Sequence, residues 1–347
     1  MKILVVGNMG YIGPVLGPVL RAHYPEATLT GFDTAYFGHC LVGAPVLPES
    51  NYDVQYFGDV RRLQPEVLKG VDAVVYLAAI SNDPMGNRFE NQTMDINSAA
   101  ALRIASMAKE AGASHFVFAG SCSVYGAAEG NEARSETSDL NPLTAYARSK
   151  VQAEQKLQSL ADSKFKVTSL RFSTACGMSP RLRLDLVLND FVANALVTKS
   201  IKIMSDGSPW RPLIHVKDMS RAMAWAVGRD GDDFVAVNVG SKQWNYQIRD
   251  LANGVAACLP GVTVQLNPDA QPDKRSYKVD FSKFERLAPN HQPLETLEST
   301  VEGLVSGLRA AGFNDPDFRN SGLIRLHILS GHIDSKRLSE ELYWQGR

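Results

Sequence analysis

The sequence has no excess of charge of one sign, few cysteines and no long apolar run. Lysine and arginine number 36 against 37 aspartates and glutamates, so no broad basic surface exists for nucleic acid or an anionic membrane. The four cysteines, Cys40, Cys122, Cys176 and Cys258, lack CxxC or Cys/His spacing, which argues against a disulfide framework and a metal site. No run reaches the roughly eighteen apolar residues that cross a bilayer, and because the first residues lead directly into a predicted strand we expect no secretory leader. We expect a cytoplasmic protein without metal, nucleic-acid or membrane partners.

A glycine-rich turn near the start of the chain is the most informative motif. The apolar residues 3–6 lead into Gly7-Asn8-Met9-Gly10-Tyr11-Ile12-Gly13. Such a turn from a strand into a helix offers backbone N–H groups and the positive end of the helix dipole to a pyrophosphate. Asp33 follows Gly13 by twenty residues (33 − 13), where a carboxylate would accept hydrogen bonds from a ribose and repel a 2′-phosphate. The pattern predicts NAD rather than NADP, bound by Gly7, Gly10, Tyr11, Ile12, Gly13 and Asp33.

Apolar runs alternate with helical segments through the first half of the chain. Beyond residues 3–6 and 29–32, strands are predicted at 54–57, 73–78, 116–119 and 167–171, and helices at about 94–111 and 144–160. Apolar strands separated by helices form a parallel sheet that is covered on both faces. We predict an α/β fold, with a Rossmann-type doubly wound parallel sheet in 1–175, a returning segment near 212–245, and a smaller mixed α/β C-terminal substrate domain in 176–347. Small and apolar residues on several sides of the two helices also predict a homodimer.

A tyrosine and a lysine are spaced for acid-base chemistry in Tyr146-Ala147-Arg148-Ser149-Lys150. On a helix this spacing places both side chains on one face. A neighbouring ammonium and a cationic nicotinamide ring would favour the phenolate of Tyr146, which could then take a proton from a sugar hydroxyl. Ser121 follows a predicted strand at its carboxyl end, where its hydroxyl can bind the reacting oxygen. We therefore predict Ser121, Tyr146 and Lys150 as the catalytic set.

These motifs form an ordered series that resembles the extended short-chain dehydrogenase/reductases, and among them the nucleotide-sugar epimerases and dehydratases. The series comprises the glycine turn, Asp33, Gly58-Asp59-Val60, Leu77-Ala78-Ala79, Asn97, the Ser/Tyr/Lys set and the segment 210–218. The resemblance implies that Asp59 and Val60 flank the adenine and that Asn97 lies beside the cofactor. It also implies that Leu77, Ala78 and Ala79 line the cofactor path.

The resemblance further implies a nucleotide-diphosphate sugar as substrate. Arg211, and Arg275 within Asp273-Lys274-Arg275-Ser276-Tyr277, match arginines that hold the diphosphate in that family. Thr174 stands where the family's 4-epimerases often carry asparagine. Other predicted substrate contacts are Ser81, Asn82, Ser121 and Ser123, although an Asx turn before Pro84 is an equally good interpretation of Asn82 and Asp83. Arg181 and Arg183 are interpreted as solvated charges.

One departure from the family's pattern reduces the number of reactions that we expect of this protein. The 4,6-dehydratases of the family carry Asp-Glu after the position of Ser121, and this chain has Cys122 and Ser123 there. Loss of that acid and base argues against dehydration, and Cys122 is interpreted as a small buried residue. We expect an NAD-dependent epimerase acting at C4 through a 4-keto intermediate. The alternatives are a 4-ketoreductase, a 4,6-dehydratase-like enzyme with unusual acid-base groups, or a non-catalytic NAD-sensing regulator.

Overall fold

A computed structural model describes residues 1–127, 132–267 and 275–346 of the chain. The strands in these residues are β1 (Lys2–Val6), β2 (Thr28–Asp33), β3 (Val54–Phe57), β4 (Ala73–Tyr76), β5 (His115–Ser121), β6 (Ala133–Arg134), β7 (Lys166–Phe172), β8 (Thr174–Cys176), β9 (Ser200–Ile203), β10 (Trp210–His215), β11 (Phe234–Val239), β12 (Asn245–Gln247), β13 (Thr263–Leu266) and β14 (Lys278–Val279). The α-helices are α1 (Gly13–His23), α2 (Asp83–Arg88), α3 (Glu90–Met94), α4 (Ala101–Glu110), α5 (Ala145–Gln158), α6 (Val187–Thr198), α7 (Val216–Val227), α8 (Ile248–Ala257), α9 (Ser282–Leu287), α10 (Leu297–Ala310) and α11 (Arg325–Asp334).

The main sheet is parallel throughout and has the order β11-β7-β5-β4-β1-β2-β3. The chain proceeds outward from β1 in one direction and from β4 in the other, so the topological switch point lies between these two strands. Ligands of doubly wound sheets bind at the carboxyl ends of the strands beside such a point. The predicted Rossmann-type fold is confirmed, and each predicted strand is present within a few residues of its expected position.

Alternating side chains of the strands fill two cores, one on each face of the sheet. Leu4 and Val6 of β1 point into the core that also holds residues of α4 and α5. Ile3 and Val5 point to the opposite face, against α1 and α7. Because both faces are covered, the central strands are apolar without interruption, as the sequence pattern predicts.

The two long helices of the first half carry the site and its support. The helix expected at about 94–111 runs from Glu90 to Glu110 as α3, a π-helical turn (Asp95–Ala100) and α4. In α5, the Thr144 side chain caps the first turn by accepting from the Ala147 N–H at 3.2 Å. Tyr146 therefore lies in the first turn of α5, at the carboxyl edge of the sheet.

A second region, with its own core, stands over that edge. It contains the small sheets β12-β10-β8 and β13-β9, which pack with α6, α8 and α10. The chain returns from it to the main sheet through α7, which packs on α1, and β11, which pairs with β7. The division at residues 175 and 176 stays a prediction.

The last part of the chain packs on the first region, although the sequence analysis placed it in the second. Residues 338–346, here named the C-terminal strap, bury Leu338 and Leu342 in the core beside α4 and α5. Arg61 Nη1 donates to the Glu341 carbonyl at 2.7 Å, and its guanidinium lies 3.7 Å from the centre of the Tyr343 ring. These apolar and polar contacts explain why the strap returns to the sheet. Among the described residues, no helix has the length and apolarity needed to cross a membrane.

Candidate active site

A cavity of about 840 Å³ lies at the carboxyl ends of β1 and β4, beneath the second region. Most residues predicted to bind cofactor or substrate line this one space. Those in its wall are Gly7, Gly10, Tyr11, Ile12, Asp33, Asp59, Val60, Leu77, Ala78, Ala79, Ser81, Asn82, Ser121, Ser123, Tyr146, Lys150, Thr174, Arg211 and Arg275. The exceptions, Gly13 and Asn97, lie behind the wall.

The glycine turn fits a dinucleotide because its backbone is bare and closely supported. Gly7 has a φ of +89°, and a Cβ there would lie 2.4 Å from the Ala78 backbone nitrogen. A Cβ on Gly13 would lie 1.9 Å from the Asn8 carbonyl oxygen, so Gly13 permits the start of α1 against the turn. At Gly10 a Cβ would meet only the Gly7 oxygen at 3.5 Å and would otherwise enter the cavity. This cradle accommodates a pyrophosphate and would be filled by larger residues.

Asn97 supports the cofactor path from behind instead of lining it. Its side-chain amide donates to the Ile80 carbonyl at 3.0 Å and to Ser149 Oγ at 3.0 Å, and its oxygen accepts from the Ile80 N–H at 2.9 Å. These bonds fix the backbone that follows Leu77-Ala78-Ala79. The residue therefore acts on the cofactor wall through the chain segment that it holds.

Two carboxylates, Asp33 and Asp59, mark the end of the cavity that is predicted to hold adenosine. Asp33, at the end of β2, accepts from the backbone N–H groups of Met9 at 2.8 Å and Ala35 at 2.7 Å. Burial raises the pKa of Asp33, and the two donors oppose this shift. A carboxylate has lone pairs left for ribose hydroxyls after accepting two bonds. Asp59, beside Val60, forms an ion pair with Arg61 at 2.5 Å.

Tyr11 joins the glycine turn to the second region. Its hydroxyl donates to the Gly177 carbonyl at 2.5 Å and accepts from Asn189 Nδ2 at 3.3 Å. Burial raises the pKa of Tyr11 well above its ordinary value, so it stays neutral. The two hydrogen bonds of Tyr11 attach the glycine turn to the second region. Ile12 lies beside the turn in the cavity wall.

Ser121, Tyr146 and Lys150 come together at the opposite end. Ser121 and Tyr146 line the same part of the wall, and the hydroxyl of Ser121 and the charge of Arg183 both act to lower the pKa of Tyr146. Burial has a larger and opposite effect, so the net pKa is raised. Lys150 donates to the Ala119 carbonyl at 2.7 Å, and its ammonium nitrogen lies 5.7 Å from the centre of the Tyr146 ring. Burial lowers the pKa of Lys150 to about 7.

Arg183 is part of this site, and its interpretation as a solvated charge is wrong. It is 7% exposed, lines the cavity, and forms two bonds to the Asp185 carboxylate at 2.9 and 3.0 Å. Arg183 also donates to Ser81 Oγ at 2.8 Å, and Asn82 Nδ2 donates to Asp185 at 2.7 Å. Asn82 at the same time caps α2, which bears out its interpretation as an Asx turn.

Arg181 is likewise buried, which corrects the same interpretation for that residue. None of its surface is exposed, and it forms an ion pair with Glu49 at 2.5 Å behind the cavity wall. The sequence carries no signal of this burial, because the carboxylate partner lies 132 positions away. A guanidinium that is buried away from water needs a carboxylate partner to balance its charge.

The two arginines predicted for a diphosphate are neighbours in the wall. Arg275 forms an ion pair with Asp83, and Arg211 donates to the Trp210 carbonyl at 2.9 Å and to the Arg275 carbonyl. Asp273 and Lys274 of the same motif lie outside the described residues. Thr174, in β8, and Ser123 complete this end of the wall. Ser123 Oγ is buried, and no described residue forms a hydrogen bond with it.

Cys122 points away from the cavity. It has no exposed surface, its sulfur donates to the Arg171 carbonyl at 3.0 Å, and burial raises the pKa of its thiol far above the ordinary range. It is the small buried residue that the sequence suggests. In the described parts of the chain, no three His, Cys, Asp or Glu side chains are grouped to hold a metal ion.

The NAD dependent epimerase/dehydratase family matches over residues 3–240, which include the glycine turn, Asp33 and the Ser/Tyr/Lys set. The chain belongs to this family. It is therefore an NAD-dependent enzyme, as the cavity and its cradle independently suggest, and both the resemblance and the expected cofactor are confirmed.

Three proteins that are similar to this chain share less than a third of their residues with it. An uncharacterized UDP-glucose epimerase, YtcB, of Bacillus subtilis (strain 168) is 29% identical over 252 residues, which are 70% of this chain and 78% of that protein. The fold matches UDP-glucuronic acid 4-epimerase from Bacillus cereus in complex with NAD, with a TM-score of 0.75, 23% identity, and coverage of 89% and 96% of the two chains. It equally matches an NAD-dependent NDP-hexosamine 5,6-dehydratase, TunA, with a TM-score of 0.76, 22% identity, and coverage of 91% and 99%. Fold alone does not separate the two reactions.

Proposed function

We propose that the protein is a nucleotide-sugar epimerase that inverts C4 through a 4-keto intermediate. The observation that carries this proposal is the pairing of carboxylates in the cavity wall with arginines. Asp83 is paired with Arg275, Asp185 with Arg183, and Asp190 with Arg319.

Elimination of water from a sugar needs an acid for the leaving hydroxyl and a base for a C–H proton. A carboxylate paired with a guanidinium has its lone pairs engaged by N–H donors, so it is poorly placed to deliver a proton to a leaving hydroxyl. Together with Cys122, which is buried and uncharged, this arrangement favours proton exchange at one hydroxyl over elimination.

The described side chains supply the steps of that exchange. Tyr146 would take the proton of the C4 hydroxyl while Ser121 holds the oxygen, and the same phenol would return the proton after the ketone has turned. NAD, when bound at the glycine turn, supplies a hydride acceptor and donor and a positive charge near the phenol. Lys150 lies within the same wall and adds a second cation when protonated. Since hydride leaves and returns within one cycle, no cofactor is consumed.

The diphosphate of the substrate is proposed to bind Arg211 and Arg275. Both arginines line the cavity at the end away from Asp33, and planar guanidinium groups pair well with phosphate oxygens. Ser81, Asn82, Ser123 and Thr174 would then lie along the sugar. UDP-glucose is named for one relative and UDP-glucuronic acid for a structural neighbour, which makes uridine diphosphate sugars the first substrates to test.

A homodimer and a cytoplasmic location remain proposals. Helices α4 and α5 pack side by side, and α4 keeps the apolar side chains of Leu102 and Met107 only half-buried. A second copy would cover them in a four-helix contact. Light scattering of the purified chain tests this, with a monomer mass at micromolar concentration as the contrary result.

The reaction is tested by product analysis on the full chain. We would incubate it with UDP-, dTDP-, GDP- and CDP-sugars, identify the products by NMR, and follow NADH by its absorbance. The expected result is a C4 epimer with no net change in NADH. A 4-keto-6-deoxy product would establish dehydration, and steady oxidation of added NADH by a keto sugar would establish reduction. Failure of all four nucleotide classes would contradict the substrate proposal.

A further inference from the structure

The loop after β2 contains a backbone conformation that is unusual for its residue type. Residues 34–37, here named the β2 loop, follow the ribose-binding candidate Asp33, and Thr34 and Tyr36 line the cavity. Between them, Ala35 has a φ of +60°. In this left-handed conformation the Cβ of an L-residue lies close to the following carbonyl oxygen, and a methyl side chain forms no hydrogen bond that would offset the crowding. Contacts from outside the loop must therefore hold it.

The conformation of Ala35 determines how the Asp33 carboxylate is oriented. The Ala35 N–H donates to Asp33 Oδ1 at 2.7 Å, and the Met9 N–H of the glycine turn donates to Oδ2 at 2.8 Å. One donor on each oxygen fixes the plane of the carboxylate and leaves lone pairs on both oxygens for a ribose. If the β2 loop left this conformation, Oδ1 would lose its donor and the carboxylate could rotate.

The C-terminal part of the chain contacts the carbonyl on each side of Ala35. Trp344 Nε1 of the C-terminal strap donates to the Thr34 carbonyl at 2.6 Å. His332 Nε2 of α11 lies 3.0 Å from the Tyr36 carbonyl oxygen. The rings of Trp344 and His332 also pack together, with their centres 5.1 Å apart. The β2 loop is thus held on both sides of the residue that has the unfavourable φ.

The strap also connects the β2 loop to the segment after β3. The Leu342 carbonyl accepts from the Tyr36 hydroxyl and from Arg61 Nη2, the latter at 3.0 Å. Arg61 is paired at the same time with Asp59, which lines the cavity. The buried Leu342 side chain anchors this carbonyl in the core beside α4 and α5. One strap residue therefore joins the two segments that form the predicted adenosine end.

We infer that the C-terminal strap positions the Asp33 carboxylate for the adenosine ribose of NAD. Trp344 holds the β2 loop, and the loop presents the Ala35 N–H that orients the carboxylate. The described strap residues lie outside the cavity wall, so their effect on the cofactor is indirect. A site that is assembled before its ligand arrives loses less entropy on binding, which raises affinity. The inference rests on the NAD cofactor of the family and on the predicted role of Asp33, and it is independent of the proposed substrate.

The first experiment measures binding of ADP-ribose, and of the analogue that lacks the 2′-hydroxyl of its adenosine, to the NAD-free full-length chain. Competition against NADH, followed by NADH fluorescence, limits the measurement to the cofactor site. The two ligands differ in the hydroxyl that a carboxylate at this position accepts from. Trp344→Phe removes the indole N–H and keeps an aromatic ring. We expect it to weaken ADP-ribose by about 3- to 10-fold, the range of one hydrogen bond, and the 2′-deoxy analogue by less. The preference for the hydroxyl should therefore fall.

The matched control is Gln92→Leu. Gln92 Nε2 donates to the Glu340 carbonyl at 2.9 Å, so this side chain also binds a strap carbonyl, and it lies outside the cavity wall. Its loss loosens the strap without removing a hydrogen bond to the β2 loop. Both ligands should keep their affinities and their ratio. Thermal melts of Gln92→Leu and Trp344→Phe establish that both variants are folded when the ligands are added.

A second experiment tests the link through Ala35. Glycine adopts a positive φ as readily as a negative one, so a glycine at this position needs less support from the strap. Trp344→Phe should therefore weaken ADP-ribose less in the Ala35→Gly chain than in the chain with alanine. The difference between the two losses is the coupling of the two positions, measured as a double-mutant cycle.

Four results would overturn the inference. Trp344→Phe could leave the preference for the 2′-hydroxyl unchanged, which would separate the strap from Asp33. Gln92→Leu could reduce the preference equally, which would make the strap a general support of the fold. Trp344→Phe could cause the same loss with glycine at position 35, which would exclude the left-handed conformation as the link. An unaltered chain without preference for the hydroxyl would remove Asp33 as the ribose ligand, and the inference with it.

Discussion

Two polar regions of the molecule are equally buried and differ in how their hydrogen bonds are satisfied. Beneath β5 and β7, Arg171 pairs with Glu154 at 2.6 Å and donates to the Tyr125 hydroxyl at 2.9 Å. Ser169 donates to Glu154 at 2.7 Å, and Tyr125 donates to Asn238 at 2.7 Å. We name these five residues the buried polar network. In the cavity wall, by contrast, polar atoms of Ser123, Ser173 and Arg325 have no hydrogen-bond partner among the residues that the structure describes.

This difference distinguishes polar groups that stabilise the fold from polar groups that are placed to bind a ligand. A polar group that the chain satisfies by itself contributes to the unique fold, and its removal leaves a partner unpaired in the core. A buried polar group without a partner beside a cavity is stabilised only when a ligand arrives. Changes in the buried polar network should therefore lower stability, whereas changes in the wall should alter ligand binding and turnover.

The largest expected effect is that of Tyr146→Phe. Removal of the phenolic oxygen should lower kcat by about 10²- to 10⁴-fold, the contribution of a positioned acid-base group, with little change in the unfolding midpoint. Tyr125→Phe is the matched control. It makes the same change in the buried polar network and should lower stability by about 1–3 kcal/mol while the folded enzyme keeps its turnover. Turnover that survives in Tyr146→Phe would contradict both the mechanism and the comparison.

Arg171→Met is expected to cause the largest loss of stability. It leaves Glu154 as an unpaired buried carboxylate, which costs about 3–5 kcal/mol. The double variant Arg171→Met/Glu154→Leu removes both charges and should recover much of that loss. Urea unfolding measures both variants. If the double variant were as unstable as the single one, packing and not charge would explain the effect.

Lys150 should make stability depend on pH. Burial lowers its pKa from 10.5 to about 7, so between these values the unfolded chain binds a proton that the folded chain does not. The free energy of unfolding from this group therefore rises with pH from about 7 to about 10 and is lost again as the pH falls. Lys150→Met should flatten that rise in the ligand-free protein. Lys156→Met, at an exposed position of the same helix, should leave the rise unchanged.

The smallest effect is expected from Cys122→Ser. The serine hydroxyl can still donate to the Arg171 carbonyl, so stability should change by about 1 kcal/mol and turnover should stay the same. A steady-state assay and a thermal melt measure the two quantities. A large loss of turnover at an unchanged midpoint would show that the thiol takes part in proton transfer.

Features with a local pattern could be predicted from the sequence. The glycine turn and Asp33 each follow an apolar strand, and Tyr146 and Lys150 share a helix face, so neighbours in sequence determine their positions. Arg183 and Arg325 could not be predicted in this way. An isolated arginine in a sequence is interpreted as exposed, and its burial here depends on contacts with Ser81 and Phe37 that lie 102 and 288 positions away. The packing of the C-terminal strap on the first region was not predicted, because its contacts also join residues that are far apart in the sequence.

The C-terminal strap has a consequence for biosynthesis. Leu338 and Leu342 complete a core whose first members, Leu4 and Val6, leave the ribosome hundreds of residues earlier. The part of this core that the two leucines cover therefore stays open to solvent, or to chaperones, until residue 342 has emerged. Ribosome-bound chains that stop shortly before residue 338 should be cleaved by protease within this early-made half, and chains that expose residue 346 should resist it.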